Sequence, residues 1–220
     1  MKKIKDPVSG FTHLSWAILS IAGLFFLILT AISNGEGAWD IVSFSIFGTS
    51  LILLYTFSSL YHLCNVSART SLLLRKLDHI MIYFLIAGTY TPIVLGPLRG
   101  GWGWSIFGVV WAIAILGMFL TIFWMKAPRW ITTSLYIAMG WVVIIAIYPM
   151  IITFKKANAL FSLLWLLAGG VFYTIGGILY GLKKPNFKNP YFGFHEIFHI
   201  FVMLGSLCHF WFIFEYVVNI

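Results

Sequence analysis

The sequence predicts an all-α, polytopic membrane protein of seven transmembrane helices, with the N-terminus inside and the C-terminus outside. Three observations lead there. Of 220 residues, 61% are hydrophobic and only 9% charged, against roughly 25% charged residues in a soluble domain. Apolar runs near the roughly 20 residues that a helical span needs recur along the whole chain. The lysines and arginines fall overwhelmingly on one side of those runs.

The runs are Leu14 to Ser33, Trp39 to Leu63, Leu77 to Leu95, Trp102 to Met125, Trp130 to Ile152, Ala159 to Leu182, and Phe194 to Val218. Turn-forming stretches separate them: Asn34-Gly35-Glu36-Gly37, Gly100-Gly101, Ala127-Pro128, and Pro185-Asn186 through Asn189-Pro190. Trp39, Trp102, Trp104, Trp124 and Trp130 lie near run ends, where amphipathic rings favour the membrane interface. Pro92 lies near the outer end of the third run, where a missing backbone donor is tolerable.

Orientation follows the distribution of basic residues in the loops. Lys2, Lys3, Lys5, Arg69, Arg75, Lys76, Lys126, Arg129, Lys183, Lys184 and Lys188 fall on one side, against Arg99, Lys155 and Lys156 on the other. The first group marks the cytoplasmic side. Lys2, Lys3 and Lys5 ahead of an apolar run resemble a signal peptide, but the run is long enough to span and further spans follow, so it reads as the first helix. Residues 1–220 therefore read as a single transmembrane domain with a short cytoplasmic segment over residues 1–12, a multi-pass protein of the plasma membrane. The net charge of +8 lies in short clusters between spans, which is a topology signal and not a nucleic-acid-binding stripe. Cys64 at a cytoplasmic edge and Cys208 near mid-membrane are not expected to pair. Gly169, Gly170, Gly176, Gly177 and Gly181 in the sixth run predict close helix packing. No internal repeat suggests an inverted-repeat transporter.

Ionisable groups inside spans are costly, so those present are informative. Asp40 and Glu215 lie near outer ends and read as solvated. His62 ends the second span and Asp78 begins the third. His195 and His199 begin the seventh. The alternation of spans brings all four to the cytoplasmic level. In His195-Glu196-Ile197-Phe198-His199 the histidines are four residues apart, on one helical face about 6 Å apart along the axis, as in helical zinc sites. His62 supplies a third nitrogen. Three protein ligands leave a fourth position open, the catalytic pattern of zinc. Asp78 can act as general base or hold water at the metal, and Ser58 shares the His62 face. Alongside them, His79 points about 100° away from Asp78, His209 reads as a helix-contact or outer-cavity residue, His13 as an interfacial residue, and Glu196 as reaching the cytoplasmic interface.

At these residues the chain resembles the hemolysin III branch of the progestin and adipoQ receptor family. The resemblance rests on Ser58-Ser59-Leu60-Tyr61-His62, on Asp78 leading into Ala87-Gly88-Thr89-Tyr90-Thr91-Pro92, and on His195-x3-His199. Thr12-His13-Leu14 and the stretch from Gly169 to Gly176 also match, so it covers essentially the whole chain. It implies Zn2+ bound by His62, His195 and His199, with Asp78 touching the metal directly or through water and Ser58 behind it. The family's first motif usually carries an acidic residue upstream of Thr-His, whereas Pro7-Val8-Ser9-Gly10-Phe11 precedes it here, a departure that puts any role of the N-terminal segment in doubt.

Three functions follow. The first is a zinc-dependent hydrolase of a lipid amide or ester, tied to lipid homeostasis and related to the alkaline ceramidases with which the family is grouped. The second is a non-enzymatic, receptor-like sensor of membrane state with structural zinc. The third is the hemolytic, pore-forming activity of the branch name, for which the chain lacks the expected amphipathic or secreted segments. A membrane lipid is the expected substrate or ligand.

Overall fold

A computed structural model describes residues 4–185, 187 and 192–218. Lys2, Lys3, Lys188, Asn186, Asn189 and Pro190 of the sequence reading lie outside them. Seven helices are long and apolar enough to cross a membrane: α1 (Pro7–Ser33), α2 (Ala38–Leu63), α3 (Ala68–Leu95), α4 (Gly101–Phe123), α5 (Arg129–Lys156), α6 (Leu160–Leu182) and α7 (Phe194–Val217). They are the seven expected spans. An odd number of crossings leaves the two termini at opposite ends of the bundle.

The helix ends have local causes. Pro7 sits in the first turn of α1, where its missing N–H costs nothing and its fixed φ suits a helix. Ser67 caps α3, accepting from Thr70 N at 3.3 Å. Gly35 takes a positive φ of 73° in the turn after α1, a conformation open to glycine at little cost. Within the spans, hydroxyls satisfy themselves by bonding the carbonyl four residues back, as Ser20 does to Trp16, Ser43 to Trp39 and Thr91 to Ala87. That suits a medium with no water to offer.

Packing is uneven. Of its most apolar stretch, α3 buries 56% and α2 50%, whereas α5 buries 17%. Tyr55, Phe44, Phe47 and Tyr83 are fully enclosed around α2 and α3, while Phe25, Phe26, Phe123, Phe161 and Leu164 point outward. Lipid tails are as apolar as these side chains, so what holds the helices is close contact and buried hydrogen bonds. Tyr55 donates to Ser206 at 2.7 Å and joins α2 to α7. The glycines of α6 act as expected at three positions: any side chain at Gly169 would run into the His209 ring, a Cβ at Gly176 would lie 2.8 Å from Phe201, and one at Gly177 3.2 Å from Ile137. Gly170 and Gly181 have no neighbour closer than 3.9 Å.

Two expectations are corrected. The fifth span is not a continuous α-helix, because Trp141–Ala146 is wound as a 3-10 segment. Tyr90 of α3 engages this break, donating to Gly140 O at 2.6 Å and accepting from Val143 N at 2.9 Å. Asp40 is not simply solvated: it is buried, and its carboxylate lies 3.8 Å from the Arg99 guanidinium. Glu215 is exposed. Cys64 and Cys208 are both free thiols.

Candidate metal centre

The three histidines converge at the end of the bundle where the chain begins. The last turn of α2 carries His62, and the first two turns of α7 carry His195 and His199 on one face. One nitrogen from each lies within 4.8 Å of the others. The Nε2 atoms of His62 and His195 stand 3.2 Å apart. His62 Nδ1 donates to the Asp6 carboxylate at 3.0 Å, which fixes the tautomer and leaves Nε2 with a lone pair. Two nitrogens at zinc-bonding distance from one tetrahedral ion are about 3.3 Å apart. The donor set of His62, His195 and His199 can hold a metal ion, and the His62–His195 separation matches the spacing of two nitrogens on zinc.

Asp78 and Ser58 line the cavity beside these rings. Asp78 is buried and accepts no hydrogen bond from a described side chain; His79 Nδ1, at 3.7 Å, is turned instead to the Arg75 carbonyl at 2.8 Å. Ser58 is also buried, and unlike the serines described above its hydroxyl does not bond back to its own helix. The group within mutual reach is the three imidazoles, with Asp78 on the cavity wall next to them.

The N-terminal turns of α1 belong to this site, contrary to the sequence reading. The helix begins at Pro7 and not at Leu14, so Asp6, Ser9 and His13 enter the bundle. Asp6 occupies the N-cap position but its carboxylate caps nothing; it serves His62, while its own N–H donates to the His62 carbonyl at 3.1 Å. An acidic residue ahead of Thr12-His13, Asp6, thus does reach the site. Ser9 Oγ donates to Glu196 Oε1 at 2.7 Å, and the other carboxylate oxygen of Glu196 accepts from Gly193 N at 2.8 Å. Glu196 thus ties α1 to the start of α7. Gly10 permits the approach, since any side chain there would collide with Leu63.

His13 is not interfacial. It is buried, stacks on His199 with ring centroids 3.7 Å apart and planes 10° apart, and neither ring nitrogen has a hydrogen-bond partner among the described residues. It lines the same cavity as Ser58 and Asp78. The signal was present in Asp6-Pro7, an N-cap residue followed by proline, a helix start seven residues ahead of the hydropathy boundary. His209, as expected, is a helix-contact residue, its Nε2 3.2 Å from the Leu166 carbonyl.

The cavity has a volume of about 220 Å³. It runs from the histidines between α3, α5, α6 and α7 toward Met150 and Leu163, walled by side chains such as Ile82, Ile86, Ile137 and Val202. It is smaller than the roughly 300 to 1,000 Å³ of drug-sized pockets, and most of the residues in its wall are apolar.

A family model described as "Haemolysin-III related" matches residues 1–210. The chain is 42% identical over 221 residues to "Hemolysin-3 homolog" of Bacillus subtilis, covering 100% of this chain and 98% of that protein. It is 38% identical over 216 residues to "Hemolysin-3" of Bacillus cereus, covering 98% and 93%. A human protein, "Monocyte to macrophage differentiation factor", is 26% identical over 191 residues, covering 82% and 73%.

Proposed function

The chain belongs to the haemolysin-III-related family of multi-pass membrane proteins, and from that premise we propose that it is a zinc-dependent hydrolase of a membrane-lipid amide or ester. The observation that carries this reading is the apolar cavity that ends on the imidazoles. A metal serving only as a staple needs no such approach. The basic loops at that end make it the cytoplasmic end in this reading.

His62, His195 and His199 would hold the zinc. When bound, zinc supplies Lewis acidity, polarising a carbonyl and making water a nucleophile near neutral pH. The cavity takes the acyl chain and excludes bulk water from the reacting bond. Asp78, with its carboxylate free of hydrogen bonds and facing the cavity, takes the proton of the attacking water on a carboxylate oxygen and returns it to the leaving amine or alcohol. The Ser58 hydroxyl and the unpartnered His13 ring offer donors to the polar part of the lipid.

The test is turnover of a panel of acyl amides and acyl esters by purified protein, with His199→Ala and Asp78→Asn alongside. Both variants should lose turnover, and only His199→Ala should lose zinc. Turnover that survives removal of the metal would sink the reading.

One observation favours a second reading. The histidines and Asp6 join α1, α2 and α7 at one end, as a structural zinc in a membrane-state sensor would. A metal-loaded protein that melts higher but turns over no lipid would support it. The name of the Bacillus cereus relative raises direct lysis as a third reading, for which dose-dependent lysis of red cells by purified, detergent-free protein is the test.

A further inference from the structure

A second, smaller cavity of about 30 Å³ opens at the same end of the bundle, between α3, α4, α5 and α6. Arg75, Arg129, His79, Thr121, Thr132 and Tyr180 are in its wall. Two other cations at this end are engaged. Lys76 donates to the Ile122 carbonyl at 2.9 Å, and Lys5 lies 3.8 Å from the Asp6 carboxylate. Arg75 and Arg129 form no ion pair among the described residues. Arg129 lies over the rings of Tyr180, at 5.1 Å, and Phe194, at 5.6 Å, with its Nη1 buried and without a hydrogen-bond partner among the described residues. A buried guanidinium N–H left unpaired is destabilising, and such a group in a native structure calls for an explanation.

Position supplies one. His79, Thr132 and Tyr180 line both cavities, so the basic pocket adjoins the large apolar one. Two unpaired arginines beside a narrow hydrocarbon-lined cavity match an amphiphile with one chain and a negative head. Basic pockets between helices are a recurrent way of holding anionic lipid headgroups, and guanidinium forks suit oxyanions. The pocket is small, about 30 Å³, so it admits only the end of the head while the rest stays outside.

We propose that Arg75 and Arg129 form the headgroup site of a single-chain anionic lipid, a phosphate monoester or a carboxylate, whose chain lies in the large cavity past Asp78. This names a ligand class and, for those members whose chain is joined through an acyl ester or amide, a substrate class for the hydrolase; it rests on that reading for turnover alone, since binding needs no hydrolysis.

The experiment is thermal melting and native mass spectrometry of purified, metal-loaded protein in neutral detergent. The probes are oleoyl lysophosphatidate, oleate, monoolein and inorganic phosphate. The two anionic lipids should bind and raise the melting temperature, monoolein should bind at least about tenfold more weakly, and the Arg75→Gln/Arg129→Gln double variant should lose about tenfold in affinity for the anionic lipids alone. Arg129→Lys keeps the charge and should lose part of that affinity, which covers the case of a double variant that fails to fold. Equal binding of monoolein and lysophosphatidate, variants that bind like the parent, or inorganic phosphate as effective as the lipids would each overturn the proposal. Headgroup-dependent binding with no turnover would sink the hydrolase and leave this site standing.

Discussion

Six histidines lie in this chain, and the bundle treats them in two ways. His79 and His209 stand apart, each turned to a backbone carbonyl, that of Arg75 at 2.8 Å and that of Leu166 at 3.2 Å. His62, His195 and His199 turn on one another, with a nitrogen of each inside a 4.8 Å group. The difference teaches what an imidazole needs inside a membrane. A lone ring is satisfied by one carbonyl that the helix geometry leaves in reach. Rings that face each other can share a cation between them, and His62, with its Nδ1 proton committed to Asp6, presents its Nε2 lone pair to the group. His13 sits between the two cases, stacked on the cluster but bonded to nothing.

Breaking the cluster should have the largest effect. His62→Ala, His195→Ala or His199→Ala should each lower zinc affinity by more than the roughly 100-fold upper range seen when outer partners are removed, measured by chelator competition on purified protein. Asp6→Asn should come next, with a loss of about 10- to 100-fold in the same titration, because the ring keeps its place but loses the charge that raises its basicity. His13 sharpens the comparison. His13→Phe keeps a flat ring on His199 and should leave zinc affinity at the parent value, whereas His13→Ala opens a void and should lower the melting temperature by several degrees. A loss of zinc in His13→Phe would make His13 a ligand. The smallest effects belong to the lone rings: His79→Gln and His209→Gln should cost about 0.5 to 1.5 kcal/mol of stability each and leave bound zinc unchanged, read by metal analysis beside thermal melting.

Much of this was legible in the sequence, for a physical reason. Whether a run can cross a bilayer depends on its length and hydropathy, so all seven helices could be read from composition along the chain. The alternation of spans then put His62, Asp78, His195 and His199 on one level, and four-residue spacing put two of them on one face. What composition cannot see is a helix that continues out of its apolar stretch. The first turns of α1, with Ser9 and His13, and the Asp6 cap before them lie ahead of the continuous apolar stretch that starts at Leu14, so hydropathy alone places His13 at an interface and gives Asp6 no role. The cavity was equally hidden. It depends on how far α5 stands from its neighbours and on a 3-10 segment engaged by Tyr90, which are distances between elements and not properties of any one stretch.

The central claim is that the clustered histidines hold one zinc ion and the lone ones hold none. Zinc-edge X-ray absorption of purified protein tests it most directly. The account predicts stoichiometric zinc with three imidazole nitrogens at about 2.0 to 2.1 Å and oxygen completing the shell, a spectrum unchanged in His209→Gln and lost in His195→Ala. Protein without stoichiometric zinc, or a spectrum that survives His195→Ala, would contradict it.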